Sequence, residues 1–515
     1  MSDTVIRIFV FILLVFPDYY RGIIAQAVAA HQRKVVLERA TAHRIAPALK
    51  FSQSISAGVD KAADSPAAVM VLKTFVDGGY SYESGAIYGH NQIFYKNSNF
   101  FNSAQIHCAP PSQLCAMIIN GQTTSAEIFT DNIEQSALDW ITELCNHPAM
   151  DGVPIVQMPD VHAGRLCNVG TAYPIRTYVN PDHVGVDIGC TISMHKLSCN
   201  VNPEDYPLLD HRIREAVPTG TEICLRNSLN EKELFRFLNS QYQKARSAVP
   251  DLINEASRID ARFITDFCRR IKLQEGMFYK SLGSLGGGNH FIEYGEDTES
   301  DDGWLTIHCG SRNLGVKVAN HWRNIAHNPK RARYIGYLWD DALRGYLSDM
   351  IIAQAYALYN HQIIRDRIFI IFKKLYKTKC IESIFTTHNY ISVTDDVPML
   401  RKGSIDASEG RKVAIPFNMR DGIAICIGNG NEQWLSTAPH GAGRIMSRAQ
   451  AKKQISMNDF QASMSGIYSS SVCAGTLDES PMAYKPTEEI LKFIQPTVEV
   501  VAMIKPKLNI KDNGE

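Results

Sequence analysis

Histidine is scarce in this chain, 16 among 515 residues, and three of the 16 share one local grammar. His308 ends the run WLTIH and is followed by CGSR; His388 ends SIFTTH and is followed by Asn389. His290 opens HFIEY directly after Gly283, Gly286, Gly287 and Gly288. Each stands where a strand-like run meets a loop, the place where side chains from separate strands can converge. Asp187 and Cys190 in VGVDIGCT, flanked by Gly185 and Gly189, add a carboxylate and a thiol. One oxygen, one sulfur and three imidazole donors form a plausible ligand set, and their mixed hardness suits Mn, Fe, Co or Zn. Five donors exceed one tetrahedral site, which points to two ions sharing a ligand. Taken singly, each histidine reads equally as a satisfied buried imidazole and Cys190 as a small core residue; only the shared context sets them apart.

A second constellation is STAPHGAGRIMSRAQAKKQ. Pro439 fixes the chain before His440, and Gly441 and Gly443 free the backbone N–H groups that follow. A glycine turn feeding a helix N-terminus makes an anion site. Arg444 and Arg448, four apart, would share a helix face and could hold phosphate oxygens. A histidine beside such a cradle can serve as nucleophile, general base or donor to phosphate. A plain helix entry with a structural histidine gives the same pattern. The glycine loop of SLGSLGGGNHFIEY also suits phosphate, but it is no P-loop, because no GK[ST] follows. The stretch RDRIFIIFKKLYKTK sets Arg365, Arg367, Lys373, Lys374, Lys377 and Lys379 against Asp366. It could follow a nucleic-acid backbone or simply form a solvated helix face.

These residues need elements to position them. TDNIEQSALDWITEL has the apolar stripe of a helix, with Thr130 or Asp131 as its N-cap. VPIVQM, TAYPI, VGVDIGC, TISMHKL, HFIEY and WLTIHCG read as short strands, and helices occupy roughly 230–280 and 340–377. The fold class is α+β with large sheets. With 53 basic and 53 acidic residues the net charge is zero, so any nucleic acid must meet a local basic surface. Twelve cysteines without a CxxC pair argue for a reducing compartment. Ile8 to Phe16 is apolar and Ala25-Gln26-Ala27 resembles a cleavage site, yet the run is too short to span a bilayer. A buried strand, or an extension unrelated to the core chemistry, fits it better than a signal peptide, because Asp3 spoils the basic start and only Arg7 supplies positive charge. Residues 1–115 show no chemistry.

The motifs MPDVHAG, VGVDIGC, SLGGGNHFIE, IHCGSRNLG, TTHNY, RKGSI, IPFNMRDG, APHGAGRIMSRAQA and DESPMAYKP, in this order, resemble the RtcB-type RNA-splicing ligase family. The resemblance runs from about Ala116 to Lys511. It implies an RtcB-like α+β fold, with large mixed or antiparallel sheets flanked by helices, over residues 116–515, and an N-terminal extension over 1–115. It implies an enzyme that uses GTP and Mn²⁺ to join RNA ends bearing a 3′-phosphate or 2′,3′-cyclic phosphate to 5′-hydroxyl ends, in tRNA splicing or RNA repair. Asp187, Cys190, His290, His308 and His388 would bind two manganese ions, with Cys190 shared. His440 would take GMP as nucleophile and Asp160 would orient it. Asn289, Glu293, Asn389, Pro416, Phe417, Asn418, Met419, Gly441, Ala442, Gly443 and Lys511 would join His290, His388 and His440 around the guanylate. Many members carry PGSMG where this chain has PFNMRD, so a serine contact passes to Asn418 or is lost. An activating partner protein stays open. Beside that reading stand two alternatives, a dinuclear metal-dependent phosphoesterase acting on RNA ends and a catalytically idle RNA-binding protein. GTP, RNA ends and a reduced Cys190 imply a cytoplasmic protein, or a nuclear one in a eukaryote.

Overall fold

The computed structural model describes residues 117–514, except 225–229, 257 and 394–396, together with the backbone of short strands within 68–107. The chain forms two compact units, Met1–Phe100 and Phe101–Glu515. In the first, strands Ala68–Phe75, Ser81–Gly89 and Gln92–Lys96 form an antiparallel meander. The apolar run at Ile8 to Phe16 and its cleavage-like site lie outside the described residues. Among the described residues no helix is long and apolar enough to cross a membrane.

The second unit is built on two large sheets. Its strands are β1 (Met117–Asn120), β2 (Ser125–Ile128), β3 (Ile155–His162), β4 (Val169–Pro174) and β5 (Thr191–Leu197). They continue with β6 (Phe291–Asp297), β7 (Gly303–Cys309), β8 (Cys380–Thr387), β9 (Asn389–Ser392) and β10 (Met399–Lys402). The last are β11 (Ser404–Asp406), β12 (Lys412–Asn418), β13 (Gly422–Gly428), β14 (Thr437–Pro439) and β15 (Val498–Ile510). A seven-stranded antiparallel sheet runs β8-β5-β7-β6-β15-β13-β12. A six-stranded mixed sheet runs β9-β10-β4-β3-β2-β1, with β2 and β3 parallel. Strands β11 and β14 pair with each other.

Helices flank the sheets, and three matter here: α1 (Gln135–Asn146), α2 (Arg312–Ala326) and α3 (Asp340–Tyr376). Helix α3 is 37 residues long and buries a stripe that includes Tyr346, Met350, Tyr356, Ile364, Ile368 and Phe372. Through its middle, from Tyr346 to Ala353, the helix is buried on every side, so burial rather than propensity holds so long an element. The predicted span 340–377 is met, and the 230–280 region resolves into Glu231–Ala248, Ala261–Ile271 and Glu275–Lys280. TISMHKL is β5 residue for residue, and HFIEY and WLTIHCG fall on β6 and β7.

Two local expectations fail. Helix α1 starts after Glu134 without a side-chain cap, and Thr130 instead closes a turn by accepting from the Asn132 N–H. VGVDIGC is not a strand: Val184 ends a short helix, and Gly185 (φ 84°) and Gly189 (φ 73°) turn the chain through the left-handed region. A Cβ on Gly189 would stand 2.9 Å from the Gln354 backbone of α3. Close approach to that helix, not pleating, therefore shapes the segment. The basic stretch at the end of α3 is also divided. Arg365 pairs with Asp366, and Arg367 turns inward to the Ala216 and Gly283 carbonyls. Lys373, Lys374, Lys377 and Lys379 stay exposed.

Candidate active site

Antiparallel register brings the five ligand candidates together. In the order β8-β5-β7-β6, Thr191 faces Thr387, Ile192 faces His308, and His308 faces Phe291. Cys190 precedes β5, His290 precedes β6, His308 is near the end of β7, and His388 follows β8. All four thus sit at one end of adjacent strands. The 185–190 turn is tied there, since Gly189 N–H donates to Asn389 O at 2.7 Å and His388 N–H to Cys190 O at 3.0 Å.

The side chains form two triads that share Cys190: Cys190, His308 and His388, and Asp187, Cys190 and His290, with ligand atoms in each within 4.8 Å of one another. Cys190 Sγ lies 3.1 Å from His308 Nε2 and 3.5 Å from His290 Nε2. His308 Nε2 and His388 Nε2 are 3.3 Å apart, and His290 Nε2 is 3.1 Å from Asp187 Oδ2. Two backbone carbonyls fix the tautomers. His290 Nδ1 donates to Leu285 O at 2.9 Å and His308 Nδ1 to Asn289 O at 3.0 Å. A carbonyl only accepts, so in neutral His290 and His308 the Nε2 lone pairs are turned toward Cys190, Asp187 and His388, where a cation could be held. Burial, then the Asp187 carboxylate, holds the Cys190 thiol well above the ordinary thiol range. Burial and the His388 and His290 rings hold His308 far below the usual imidazole value. A bound cation favours the deprotonated thiolate and keeps the imidazoles neutral, so the donor set fits metal.

His440 approaches from the two-stranded β11–β14 pair. Pairing of Pro439 with Ser404 delivers it from β14 to the end of β3, where Asp160 is fully buried. Asp160 Oδ2 accepts from His440 Nδ1 at 2.7 Å, from His440 N–H at 3.2 Å and from Gly441 N–H at 3.3 Å. The carboxylate thereby holds the proton on Nδ1 and leaves the Nε2 lone pair free. The His440 ring centre is 5.0 Å from that of His388, so the imidazole stands beside the ligand cluster. Gly443 (φ 73°) permits this geometry, because a Cβ there would meet Asp160 O at 2.3 Å.

A cleft of about 340 Å³ opens between the two groups. Asp187, Asn289, Glu293, His308, His388, Asn389, Pro416, Phe417, Asn418, Met419, His440, Gly441, Ala442, Gly443 and Lys511 all line it. Cys190, His290 and Asp160 stand behind its wall. Glu293 is buried: Oε2 accepts from Asn509 Nδ2 at 2.7 Å, while Oε1 has no partner. Burial pushes its carboxyl up to about 8, against the Asn509 hydrogen bond and the Lys511 charge. Lys511 is buried as well, with Nζ 3.2 Å from Glu479 Oε2. Burial opposes ionisation of Glu479, yet Lys511, Arg448 and Arg444 hold its carboxyl down to about 2. Asn418 is spent on its own turn: Nδ2 donates to Asp421 Oδ2 at 2.8 Å, and Oδ1 accepts from the N–H groups of Arg420 and Asp421.

Two sequence expectations are corrected here. Arg444 and Arg448 do not share a helix face, because the helix begins only at Arg448, behind a capping box of Ser447 and Gln450. Arg444 instead lies over Tyr484 at 5.0 Å and faces Glu479, while Arg448 pairs with Asp478 and Glu479. The loop glycines Gly283 to Gly288 do not line the cleft. Gly286 is needed because a Cβ there would strike Arg312 Nη1 and stand 2.6 Å from His290 Nδ1. His162, Phe291, Lys402, Glu479, Tyr484 and Asn509 line the cleft and were not predicted as site residues. His162, Lys402, Glu479 and Tyr484 lie within motifs already singled out, MPDVHAG, RKGSI and DESPMAYKP, which was the available signal. Asn509, late in β15, carried none. Burial lowers the His162 imidazole to about 4, leaving it neutral, with Nδ1 donating to Asp160 O at 2.9 Å.

Comparison with known proteins matches residues 143–512 to the family model described as tRNA-splicing ligase RtcB. The chain is 28% identical over 388 residues to "RNA-splicing ligase RtcB" of Escherichia coli K12, covering 69% of this chain and 90% of that protein. It is 27% identical over 420 residues to "tRNA-splicing ligase RtcB" of Nanoarchaeum equitans, covering 69% and 88%. To "RNA-splicing ligase RtcB homolog 2" of Entamoeba dispar it is 23% identical over 483 residues, covering 76% and 90%. A family match across most of the chain, on a fold whose strand ends gather these donors beside a carboxylate-held imidazole, places it in a known group: the chain belongs to the RtcB family of tRNA-splicing ligases.

Proposed function

We propose that this protein is a GTP-dependent RNA ligase that joins 3′-phosphate or 2′,3′-cyclic phosphate ends to 5′-hydroxyl ends through a covalent His440–GMP adduct. The observation that carries the proposal is the 2.7 Å hydrogen bond from His440 Nδ1 to buried Asp160, beside two ligand triads that share Cys190. With its proton held on Nδ1, the His440 ring directs the Nε2 lone pair at the α-phosphorus of GTP. The N–P bond forms as the bond to pyrophosphate breaks, and Asp160 balances the charge that develops on the ring. A 2′,3′-cyclic end must first be opened by water, which breaks the bond to the 2′-oxygen and leaves a 3′-phosphate; GMP then passes to that 3′-phosphate, and the electron pair returns to Nε2. The 5′-hydroxyl attacks the activated end, making the phosphodiester and releasing GMP. Asp187, Cys190, His290, His308 and His388 would hold two Mn²⁺ ions, which supply neutralisation of phosphate charge.

The remaining lining supports nucleotide selection. Lys511 can only donate, so it suits a carbonyl or phosphate oxygen. Glu293, neutral or ionised near its raised pKa, offers its unpartnered oxygen to a base edge. With Asn418 held in its turn and the Gly441 N–H donating to Asp160, the Ala442 and Gly443 backbone is left to supply contacts to phosphate. A phosphoesterase would need the metal ligands but not an imidazole aligned by a buried carboxylate. Residues 116–515 form the catalytic part in this proposal. The test is incubation with α-³²P-GTP and Mn²⁺: the parent gains a covalent label and His440→Ala does not. Labelling of His440→Ala at the parent level would refute the assignment. An end-labelled RNA assay with and without GTP separates joining from hydrolysis.

A further inference from the structure

Outside the cleft, one surface combines an exposed tryptophan and two half-buried tyrosine rings with exposed cations that have no ion-pair partner among the described residues. Tyr178–Val179 and Leu338–Trp339 form a two-stranded ribbon in which Trp339 stands directly opposite Tyr178. Residues directly opposite in an antiparallel pair project to the same face. The Trp339 side chain is 39% exposed, and among the described residues its indole has neither a ring partner nor a hydrogen-bond partner. Beside it, the Tyr334 ring lies 5.2 Å edge-on from Tyr178 and carries the Arg333 guanidinium at 5.8 Å. Tyr334 also meets His147 at 5.6 Å, and His147 stacks at 4.4 Å on buried Tyr337. The outer rings are thus backed by a packed inner layer and held in place.

The cations come from the segment KRARY. Lys330, Arg331 and Arg333 are exposed, and none has an ion-pair partner among the described residues. The nearest acids in sequence, Asp340 and Asp341, occupy the first turn of α3, where the helix dipole favours negative charge, and Asp341 pairs with Arg344. Burying a ring this size would normally stabilise a fold, so leaving Trp339 in water on the same face as Tyr178, whose neighbour Tyr334 carries a guanidinium, suits a partner with both π-faces and phosphates. From this we infer that Trp339, Tyr334 and Tyr178, with Arg331 and Arg333, form a stacking platform for a single-stranded stretch of the RNA substrate. The inference rests on the RNA-ligase function proposed above. Val169, which lines the cleft, lies nine residues before Tyr178 along β4 and its extension. At about 3.3 Å per extended residue the platform is therefore no more than about 30 Å from the cleft, and a strand whose end lies there can reach it.

The full-length protein is titrated against a fluorescein-labelled single-stranded RNA of about 15 nucleotides, within the footprint such sites cover. A duplex of equal length serves as comparison, and binding is read by anisotropy. Trp339→Ala should weaken single-strand binding about tenfold, the loss expected for one base stack, and Trp339→Phe should restore most of it. Arg331→Glu with Arg333→Glu should weaken binding and flatten the slope of its salt dependence by about 0.7 for each phosphate no longer neutralised. Duplex affinity should change less than twofold in Trp339→Ala, and covalent labelling by GTP should match the parent. Single-strand affinity within twofold of the parent in both variants overturns the platform, as would be found if the surface docks another protein. Because binding is read without catalysis, a failure of GTP labelling refutes the ligase proposal separately.

Discussion

Asp160→Asn tests the alignment of His440 most directly. The substitution keeps the size of the side chain and removes its charge. In the parent, one carboxylate oxygen accepts from three N–H groups, those of His440 Nδ1, His440 backbone and Gly441 backbone. Hydrogen bonds to a charged acceptor contribute about 1.5–3 kcal/mol and neutral ones about 0.5–1.5. The bond to Nδ1 strengthens as the ring gains positive charge during attack on GTP, so weakening it slows adduct formation at least about tenfold. A larger effect follows if the amide turns its NH₂ toward the ring. Nδ1 would then have to accept, the proton would move to Nε2, and the nucleophilic lone pair would be lost; this tautomer error costs about 10⁴ in an aligned histidine elsewhere. The other carboxylate oxygen, Oδ1, is buried without a partner, so an NH₂ there goes unsatisfied and costs a further 1–3 kcal/mol or so of stability. Rapid-quench labelling with α-³²P-GTP measures the rate, and thermal unfolding measures the fold. Asp160→Asn that labels within threefold of the parent while remaining folded would show that Asp160 does not hold the Nδ1 proton.

Three further outcomes follow from the same geometry. Cys190→Ser removes the donor common to both triads, so metal content by mass spectrometry should drop for both sites together; loss of one ion alone would show that Cys190 is not shared. Gly443→Ala places a Cβ 2.3 Å from Asp160 O at φ 73°, so it should destabilise by about 2 kcal/mol or more and cut labelling over tenfold. Unchanged melting and labelling would refute that packing. Glu293 has a carboxyl raised from 4.5 to about 8 in the folded protein, so protonated Glu293 folds without penalty below about pH 4.5. The penalty then grows as pH rises to about 8, reaching a few kcal/mol. Glu293→Gln should therefore gain stability relative to the parent across that window in metal-free buffer, and a pH-independent difference would contradict the buried-acid assignment.

How much of this was legible in the residues follows from the range of the forces involved. Strand ends were readable because alternation and terminal glycines are local, so His290, His308 and His388 could be placed at strand ends from sequence alone, whereas Cys190 was read within a strand and stands in the turn before β5. Their convergence is a matter of register, and only the pairings of Ile192 and Phe291 with His308 supply it. The failures share a cause. Arg444 and Arg448 looked like neighbours on one helix face, whereas both line the cleft already paired with acids, Asp478 and Glu479, that lie some thirty residues away and act through space. Glu479 in turn depends on Lys511, so a charge network spanning three segments decides what either arginine can offer a ligand. The glycines before His290 also answer to distant neighbours: Gly283 makes room for Arg367, Gly286 for Arg312 and the imidazole, and Gly287 for Asp512. Local chemistry thus named the reacting groups, whereas their charge state and freedom to bind were set by neighbours distant in the chain. For that reason the sharpest tests above change Asp160, Cys190, Gly443 and Glu293, whose effects rest on such long-range contacts.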